Sequence, residues 1–278
     1  MDIRSILAAS VATFVFLGST TASAESHDQD VPGSNPLPTA AASTLEVPAH
    51  QFNTCSNPDN SCWRSSFDQT DKANLVSFLV RASDPRPWVV TLNELCDDSY
   101  NIIAWNLVSM GYTPTRFVTV PNIDSCPGYG IAIFTLGSPG YTYTGIVSSG
   151  SEERRAIVCR RMSTYGGAME GCVTHTNGSA QTVAVADRFN SRKASATFGI
   201  LGGDLNKRPN EYPLPTYFTN RWYDIDYRSP PAITWSTQSS SQGKIDYLFI
   251  DLPAWRTPDR LCSSEASDHC YLFGSFFI

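Results

Sequence analysis

Short strand-length runs dominate the chain. WVVTLNEL, RFVTV, GIAIFTLG, AIVCRRM, GCVTHT, FGILGGDLN and KIDYLFI are rich in β-branched and aromatic residues and are bounded by Gly, Pro, Asn and Ser. Several follow one another with no helical pattern between them, which calls for antiparallel pairing over much of the chain. Helical spacing is confined to ANLVSFLVRA (73–82), YNIIAWNLVSMG (100–111, with Gly111 suited to a helix end) and 179–197. These segments can cover sheet faces, so the expected class is α+β with sheets at the centre.

The N-terminus stands apart. Arg4, the apolar segment ILAASVATFVFLG and the small-residue stretch TASA have the three parts of a secretory signal peptide, with cleavage expected after Ala24. The apolar segment is short for a membrane span, and no later segment is long enough to form one. Residues 25–47 lack aromatic side chains and are rich in Pro, Ser and Ala, the composition of a flexible leader or pro-segment. Residues 48–278 show no internal break or repeat and read as one domain, expected to be monomeric.

All 8 cysteines follow the expected cleavage site, which in an exported chain points to disulfides. There is no CxxC pair, so zinc gains little support. Neighbour pairing is the simplest scheme: 55 with 62, 159 with 172, 262 with 270, leaving Cys96 for Cys126. The net charge of −6 argues against a protein that grips nucleic acid by charge alone, though a local cationic or metal-bearing cleft remains compatible with it.

Five strand runs end in an ionisable or amide side chain: Asn53 in HQFNTC, Glu94 in TLNEL, His175 in VTHT, Asp204 with Asn206 in GGDLN, and Asp246 in KIDY. Asp268-His269 follows near the C-terminus. One such residue reads as a turn or cap. Repetition at strand ends, with two of only 4 histidines among them, favours a site. In an extended GGDLN, Asp204 and Asn206 would project from the same side of the strand, and the two glycines would let it end tightly beside a ligand.

FNTC, LNEL, VTHT, GGDLN, PAITW followed by KIDYLFI, and SDH, in that order, resemble the ordered motifs of the endonuclease/exonuclease/phosphatase superfamily, the family of deoxyribonuclease I. The resemblance spans about residue 50 to 278. It implies a four-layered α/β sandwich, two central, mainly antiparallel sheets flanked by helices, with catalytic groups at one edge. It further implies a divalent-metal site of Asn53, Glu94 and Asp268, with Glu94 the principal ligand, Asp268 assisting the metal or its waters, and Asn53 beside them holding a carboxylate or phosphate oxygen. Hard oxygen ligands suit Mg²⁺, the expected ion, or Mn²⁺ or Ca²⁺. His269 would contact the phosphate with Asp246 fixing its tautomer, and His175 would be the second imidazole. Asp204 would hold and deprotonate water while Asn206 donates to the phosphate. Loss of His175, Asp204 or His269 is then expected to nearly abolish turnover.

The chain departs from that pattern at Asn93, where Gln is frequent, at GDLN in place of GDFN, and after Asn53, where a Trp is missing. No Glu between Gly111 and Gly137 is available to pair with His175 as one does in the deoxyribonucleases. Arg154, Arg155, Arg160 and Arg161 read as solvated strand charges beside Glu152 and Glu153, while Lys207-Arg208 could meet a polyanion. Asn177-Gly178-Ser179 is an N-glycosylation pattern. Trp235 and Tyr247 read as core or cleft walls. GxSxG, Walker and HExxH motifs are absent. The reading is a secreted, metal-dependent phosphodiesterase of the deoxyribonuclease I kind acting on nucleic acid. The alternatives are a phospholipase C or sphingomyelinase, with 216–227 as a candidate lipid loop, and a small-molecule phosphatase.

Overall fold

A computed structural model describes residues 45–56, 68–120, 125–137, 140–148, 154–219, 222–226, 237, 243–262 and 267–278. The expected signal peptide, most of the leader, Cys62, Glu152, Glu153 and PAITW lie outside them. Among the described residues, twelve strands form two six-stranded sheets. The first sheet contains β1 (Glu46–Asn53), β2 (Val89–Leu95), β3 (Tyr112–Val120), β4 (Tyr129–Leu136), β11 (Trp255–Leu261) and β12 (Tyr271–Phe277), in the order β11-β12-β1-β2-β4-β3. The second contains β5 (Thr142–Ile146), β6 (Ala156–Thr164), β7 (Gly167–His175), β8 (Phe198–Asp204), β9 (Tyr223–Asp224) and β10 (Asp246–Ile250), in the order β5-β6-β7-β8-β10-β9. β1 begins inside the stretch read as leader.

Antiparallel pairing prevails as expected, with one exception in each sheet. β1 pairs parallel to β2, and β7 parallel to β8. A parallel pair needs a crossover, and helices supply both. α1 (Gln69–Ala82) joins β1 to β2, and α3 (Ser179–Lys193) joins β7 to β8; α2 (Asp97–Ser109) and the short α4 (Leu214–Thr219) complete the described helices. α1 starts ahead of its apolar repeat because Asp68 and Asp71 form a reciprocal capping box. Gly111, at φ +91°, stops α2 in the conformation a side chain would resist.

Three apolar layers separate four structural ones. Val89, Ile131 and Ile133 of the first sheet meet Val158, Val173 and Ile200 of the second. Alternate residues point the other way: Val90, Leu92 and Phe134 pack on Val76, Val80 and Ile103 of α1 and α2. Leu201, Tyr247 and Phe249 pack on Val185, Phe189 and Trp222. Both faces of each central strand are covered, which is why these strands read as continuous apolar runs. Tyr247 is thus core. So is much of the segment proposed for lipid contact: Tyr217, Trp222 and Ile225 are buried. β11 and β12 escape the pattern search, β11 because Arg256, Pro258, Asp259 and Arg260 are edge-strand residues that break apolar alternation.

Three expected disulfides are present, Cys96–Cys126, Cys159–Cys172 and Cys262–Cys270. Cys55 is disulfide-bonded too.

His50 lies in the layer between the first sheet and α1, 3% exposed. Its Nδ1 is 2.7 Å from the Tyr271 hydroxyl and its Nε2 3.3 Å from Ser83 Oγ, which itself donates to the Leu79 carbonyl. One consistent arrangement has Tyr271 donating and a neutral imidazole passing its single N–H to Ser83. Burial lowers the pKa from 6.5 to about 3. Between those values only the unfolded chain takes the proton, so folding stability falls as pH drops below 6.5. The contribution is about 2 kcal/mol by pH 5. Urea midpoints at pH 7 and pH 5 are expected to differ less in His50→Gln than in the unsubstituted protein. Equal differences would refute this account.

Candidate active site

The parallel pairs decide where polar groups collect. β1 ends at Asn53, β2 carries Glu94 at its end, β7 ends at His175 and β8 at Asp204, so the carboxyl ends of all four strands bear a functional side chain. Asn53 is in register with Asn93, and His175 with Asp204. β10 runs antiparallel to β8 and therefore begins at the same edge, with Asp246 opposite Asp204. His269 arrives just before β12, which is antiparallel to β1.

Glu94 owes its direction to a bulge. Leu92 and Leu95 both face the outer apolar layer although they are three residues apart, which a regular strand does not allow. The register against β4 shifts between them, and Glu94 takes φ +57°. Asn93 keeps the inward side that strand alternation gives it, and the extra residue swings Glu94 to the edge.

Asn53 is the hub. Its Oδ1 accepts the Cys55 N–H at 3.0 Å, which orients the amide so that Nδ2 faces the site. From there Nδ2 donates to Glu94 Oε1 at 2.9 Å and Asp204 Oδ2 at 3.1 Å. Turned this way, Nδ2 joins the Glu94 and Asp204 carboxylates.

Asp204 is 1% exposed. Its Oδ1 accepts the Asn206 N–H at 2.8 Å. The strand ends at Asp204, and Asn206 takes φ +48°, so a turn and not strand alternation brings the two side chains together. Burial and the Asp246 charge raise the Asp204 pKa to about 8, against the pull of His269 and the Asn206 N–H. The glycines before it answer to packing. A Cβ on Gly202 would collide with Thr91 across the sandwich, and one on Gly203 with the Thr174 carbonyl.

His269 Nδ1 is 2.7 Å from Asp246 Oδ2. Burial opposes its charge, but the Asp246 carboxylate and hydrogen bond, with Asp204 and Asp268, outweigh it and raise the pKa to about 10. His269 is therefore an imidazolium, with Nε2 3.6 Å from Asp268 Oδ1 and 3.9 Å from Asp204 Oδ2. His175 is the opposite case: burial, then the positive charges of Arg155 and His269, push its pKa well below 6.5. Its Nε2 accepts a long 3.3 Å bond from Asn206 Nδ2, which also donates to the Thr176 carbonyl at 2.8 Å. Among the described residues no carboxylate is hydrogen-bonded to His175; Glu94 and Asp204 each stand 3.7 Å away.

Every expected site residue lies at this edge. Two buried sets within it have ligand atoms no more than 4.8 Å apart, Glu94/His175/Asp204 and Asp204/Asp246/His269. Asp268 joins neither, standing 3.6 Å from His269 Nε2. A third set, Cys159/Glu170/Cys172, has its sulfurs in a disulfide.

Sequence reasoning missed the layer beneath. Asn93 Nδ2 donates to the Thr174 carbonyl at 2.8 Å, and its Oδ1 accepts Asp204 N at 3.0 Å and Gln51 Nε2 at 2.8 Å. Thr91 closes the chain with a 2.6 Å bond to Gln51 Oε1. One amide thus ties both sheets together directly behind His175 and Asp204. The available signal was polar residues at inward strand positions, in HQFN and TLNE. Lys72, fully buried on α1, donates to the Cys55 carbonyl at 2.8 Å. Burial lowers its pKa to about 8, against the opposing effect of the Asp268 and Glu94 charges.

No protein-family model matches the sequence, and no curated protein does. Solved structures do match. The human Nocturnin catalytic domain with bound sulfate aligns at TM-score 0.66 and 17% identity, over 84% of this chain and 94% of that one. An endonuclease/exonuclease/phosphatase from Bacteroides vulgatus aligns at TM-score 0.65 and 14% identity, over 84% and 98%. ANGEL2, a 2′,3′-cyclic phosphatase in complex with adenosine-2′,3′-vanadate, aligns at 0.63 and 15%, over 84% and 96%. The chain has the endonuclease/exonuclease/phosphatase fold. The endonuclease/exonuclease/phosphatase sandwich accounts for the paired six-stranded sheets and for helices on both outer faces. At these identities it is the architecture that is shared.

Proposed function

We propose that this chain is a divalent-metal-dependent phosphodiesterase, and that it cuts nucleic acid in the manner of deoxyribonuclease I. One observation carries the reading: the His269–Asp246 pair, His175, the Asp204–Asn206 turn and Glu94 converge at one sheet edge from strands far apart in sequence. Phosphoryl transfer needs an aligned water and positive charge around the phosphoryl oxygens. Asp204 in its ionised form is suited to hold the water and take its proton, and with the pKa raised to about 8 that form grows as pH rises towards 8. The His269 imidazolium and the Asn206 amide offer N–H donors to phosphoryl oxygens. His175 presents an unprotonated Nε2.

The donor set also fits a hard cation. Glu94, at φ +57°, is turned to the edge by the bulge, and Asp268 stands 3.6 Å from His269 Nε2; these carboxylates would hold Mg²⁺, with Mn²⁺ or Ca²⁺ as alternatives. Such an ion, when bound, neutralises developing charge on the phosphate. Export is part of the same proposal, supported by the N-terminal pattern and the disulfides; no helix among the described residues is long and apolar enough to cross a membrane.

The test sets purified protein against supercoiled plasmid, RNA, sphingomyelin, phosphatidylinositol and a phosphorylated sugar, with and without a chelator. Plasmid nicking abolished by chelation is the expected result. Hydrolysis of lipid or sugar phosphate with plasmid left intact would replace this substrate class with another.

A further inference from the structure

Lys72 is a buried charge with no part in the proposed hydrolysis. It is 0% exposed and lies near the start of α1, next to the Asp68–Asp71 capping box. Burial opposes an ammonium there, and so does the positive end of the helix dipole. The Asp268 and Glu94 charges supply part of the compensation. A hydrogen bond supplies more. Helical side chains lean back towards the helix start, and Nζ donates to the Cys55 carbonyl at 2.8 Å, just past the end of β1.

Cys55 is where this bond acts. It takes φ +46°, a left-handed conformation that side chains resist, and Glu94, in the neighbouring strand β2, takes φ +57°. Backbone bonds couple the two: the Thr54 N–H donates to the Asn93 carbonyl and the Ser56 N–H to the Glu94 carbonyl, each at 3.0 Å. Asn53 Oδ1 accepts the Cys55 N–H at 3.0 Å, while Nδ2 holds Glu94 and Asp204. The N–H of Cys55 thus orients the hub amide, and Lys72 holds the carbonyl of the same residue.

We propose that Lys72 is a positioning residue: by fixing the left-handed Cys55 from α1 it sets the direction of the Asn53 amide and, through Ser56, of Glu94, without itself touching substrate. Packing of α1 on the sheet is the rival account of the contact, and it makes any loss uniform across the fold. The effect on turnover rests on the phosphoesterase reading; the effect on the Cys55 turn does not.

Amide hydrogen exchange on the full chain therefore tests the turn without any assay of activity. Lys72→Met keeps the apolar stem and leaves the Cys55 disulfide in place, so only the donor and its charge are removed. Exchange at Cys55 and Ser56 is expected to speed by about 10- to 100-fold, the loss of one charged hydrogen bond in a local opening, while Val90 and Leu92 in the middle of β2 stay within about threefold. Full protection retained at Cys55, or equal acceleration throughout the chain, would overturn the proposal. If Lys72→Met does not fold, the unsubstituted protein decides: the Lys72 ammonium and the Cys55 N–H are expected to show comparable protection, and an ammonium that exchanges freely beside a protected Cys55 ends the proposal. At saturating Mg²⁺, Lys72→Met is expected to lower kcat by about 10- to 100-fold with KM within about threefold. A raised KM with unchanged kcat would refute the positioning role. A protein with no hydrolytic activity but the expected local change in exchange would refute the enzyme reading and leave the hold of Lys72 on the Cys55 turn standing.

Discussion

Replacing Asp204 by Asn is expected to lower kcat for phosphodiester hydrolysis by about 10²- to 10⁴-fold without destabilising the protein. The change is isosteric. An amide oxygen can keep the Asn206 N–H bond that Oδ1 accepts now, so the turn that places Asn206 survives; its NH2 then meets Asn53 Nδ2, and the bond that Oδ2 accepts is lost at a cost of about 1–3 kcal/mol, which relief of the ionisation penalty offsets. What is lost is the carboxylate that holds water and accepts its proton.

The stability prediction has a definite sign. The Asp204 pKa is raised from 3.8 to about 8, first by burial and then by Asp246. A carboxyl with a raised folded-state pKa ionises more easily unfolded, so its contribution turns increasingly unfavourable as pH rises from 3.8 towards 8. The amide carries no such penalty. At pH 7 and without added metal, the variant's Tm is expected to equal or exceed that of the unsubstituted protein. Steady-state kinetics and a thermal scan on one preparation check both. A Tm well below the unsubstituted value, or kcat within threefold of it, contradicts the role assigned to Asp204. A site that works at the expense of stability is the general expectation for buried catalytic charge.

Lys244→Met is expected to destabilise the fold by about 3–5 kcal/mol, the usual result of removing one partner from a buried ion pair. Lys244 Nζ lies 2.7 Å from Asp226 Oδ1 and 3.1 Å from Asp224 Oδ2, with the lysine side chain 1% exposed and both carboxylates 0%. Burial opposes the ammonium, but the two aspartates outweigh it and raise its pKa. Asp224 is pushed well above 3.8 by burial and by Asp226. Without the lysine, two buried carboxylates face each other with their shared cation gone. Urea unfolding monitored by fluorescence gives the loss directly. Asp224→Asn and Asp226→Asn added to Lys244→Met should restore much of it, because the uncompensated charge is then removed. A single-variant loss below about 1 kcal/mol, the size of a surface pair, would show that the triad is effectively solvated. Lys244 is two residues from Asp246, so the same triad fixes the start of β10 on which the His269 partner sits.

Much of this was readable in the chain. Short β-branched runs bounded by turn residues fix strand identity locally, and the polar residues ending them stood out because they interrupt apolar segments. Gly111 and the 159/172 and 262/270 cysteine pairs were legible for the same reason: their constraints act over a few residues. Edge strand β11 was not, since an edge strand is selected to look polar. Nor was the tie made by Asn93, whose partners Thr174 and Asp204 are remote in sequence and become neighbours only when the sheets close.

The sequence by itself determined which residue types were available at the strand ends: two imidazoles, several carboxylates and two amides. It could not set their states. His175 and His269 are the same residue in similar settings along the chain, yet one is neutral beside Arg155 and the other charged against Asp246. Those outcomes depend on burial and on charges that the sandwich brings within a few ångströms. Local composition carries the backbone preferences, but a pKa and the direction of Glu94 are set by the distances that only the closed tertiary structure fixes.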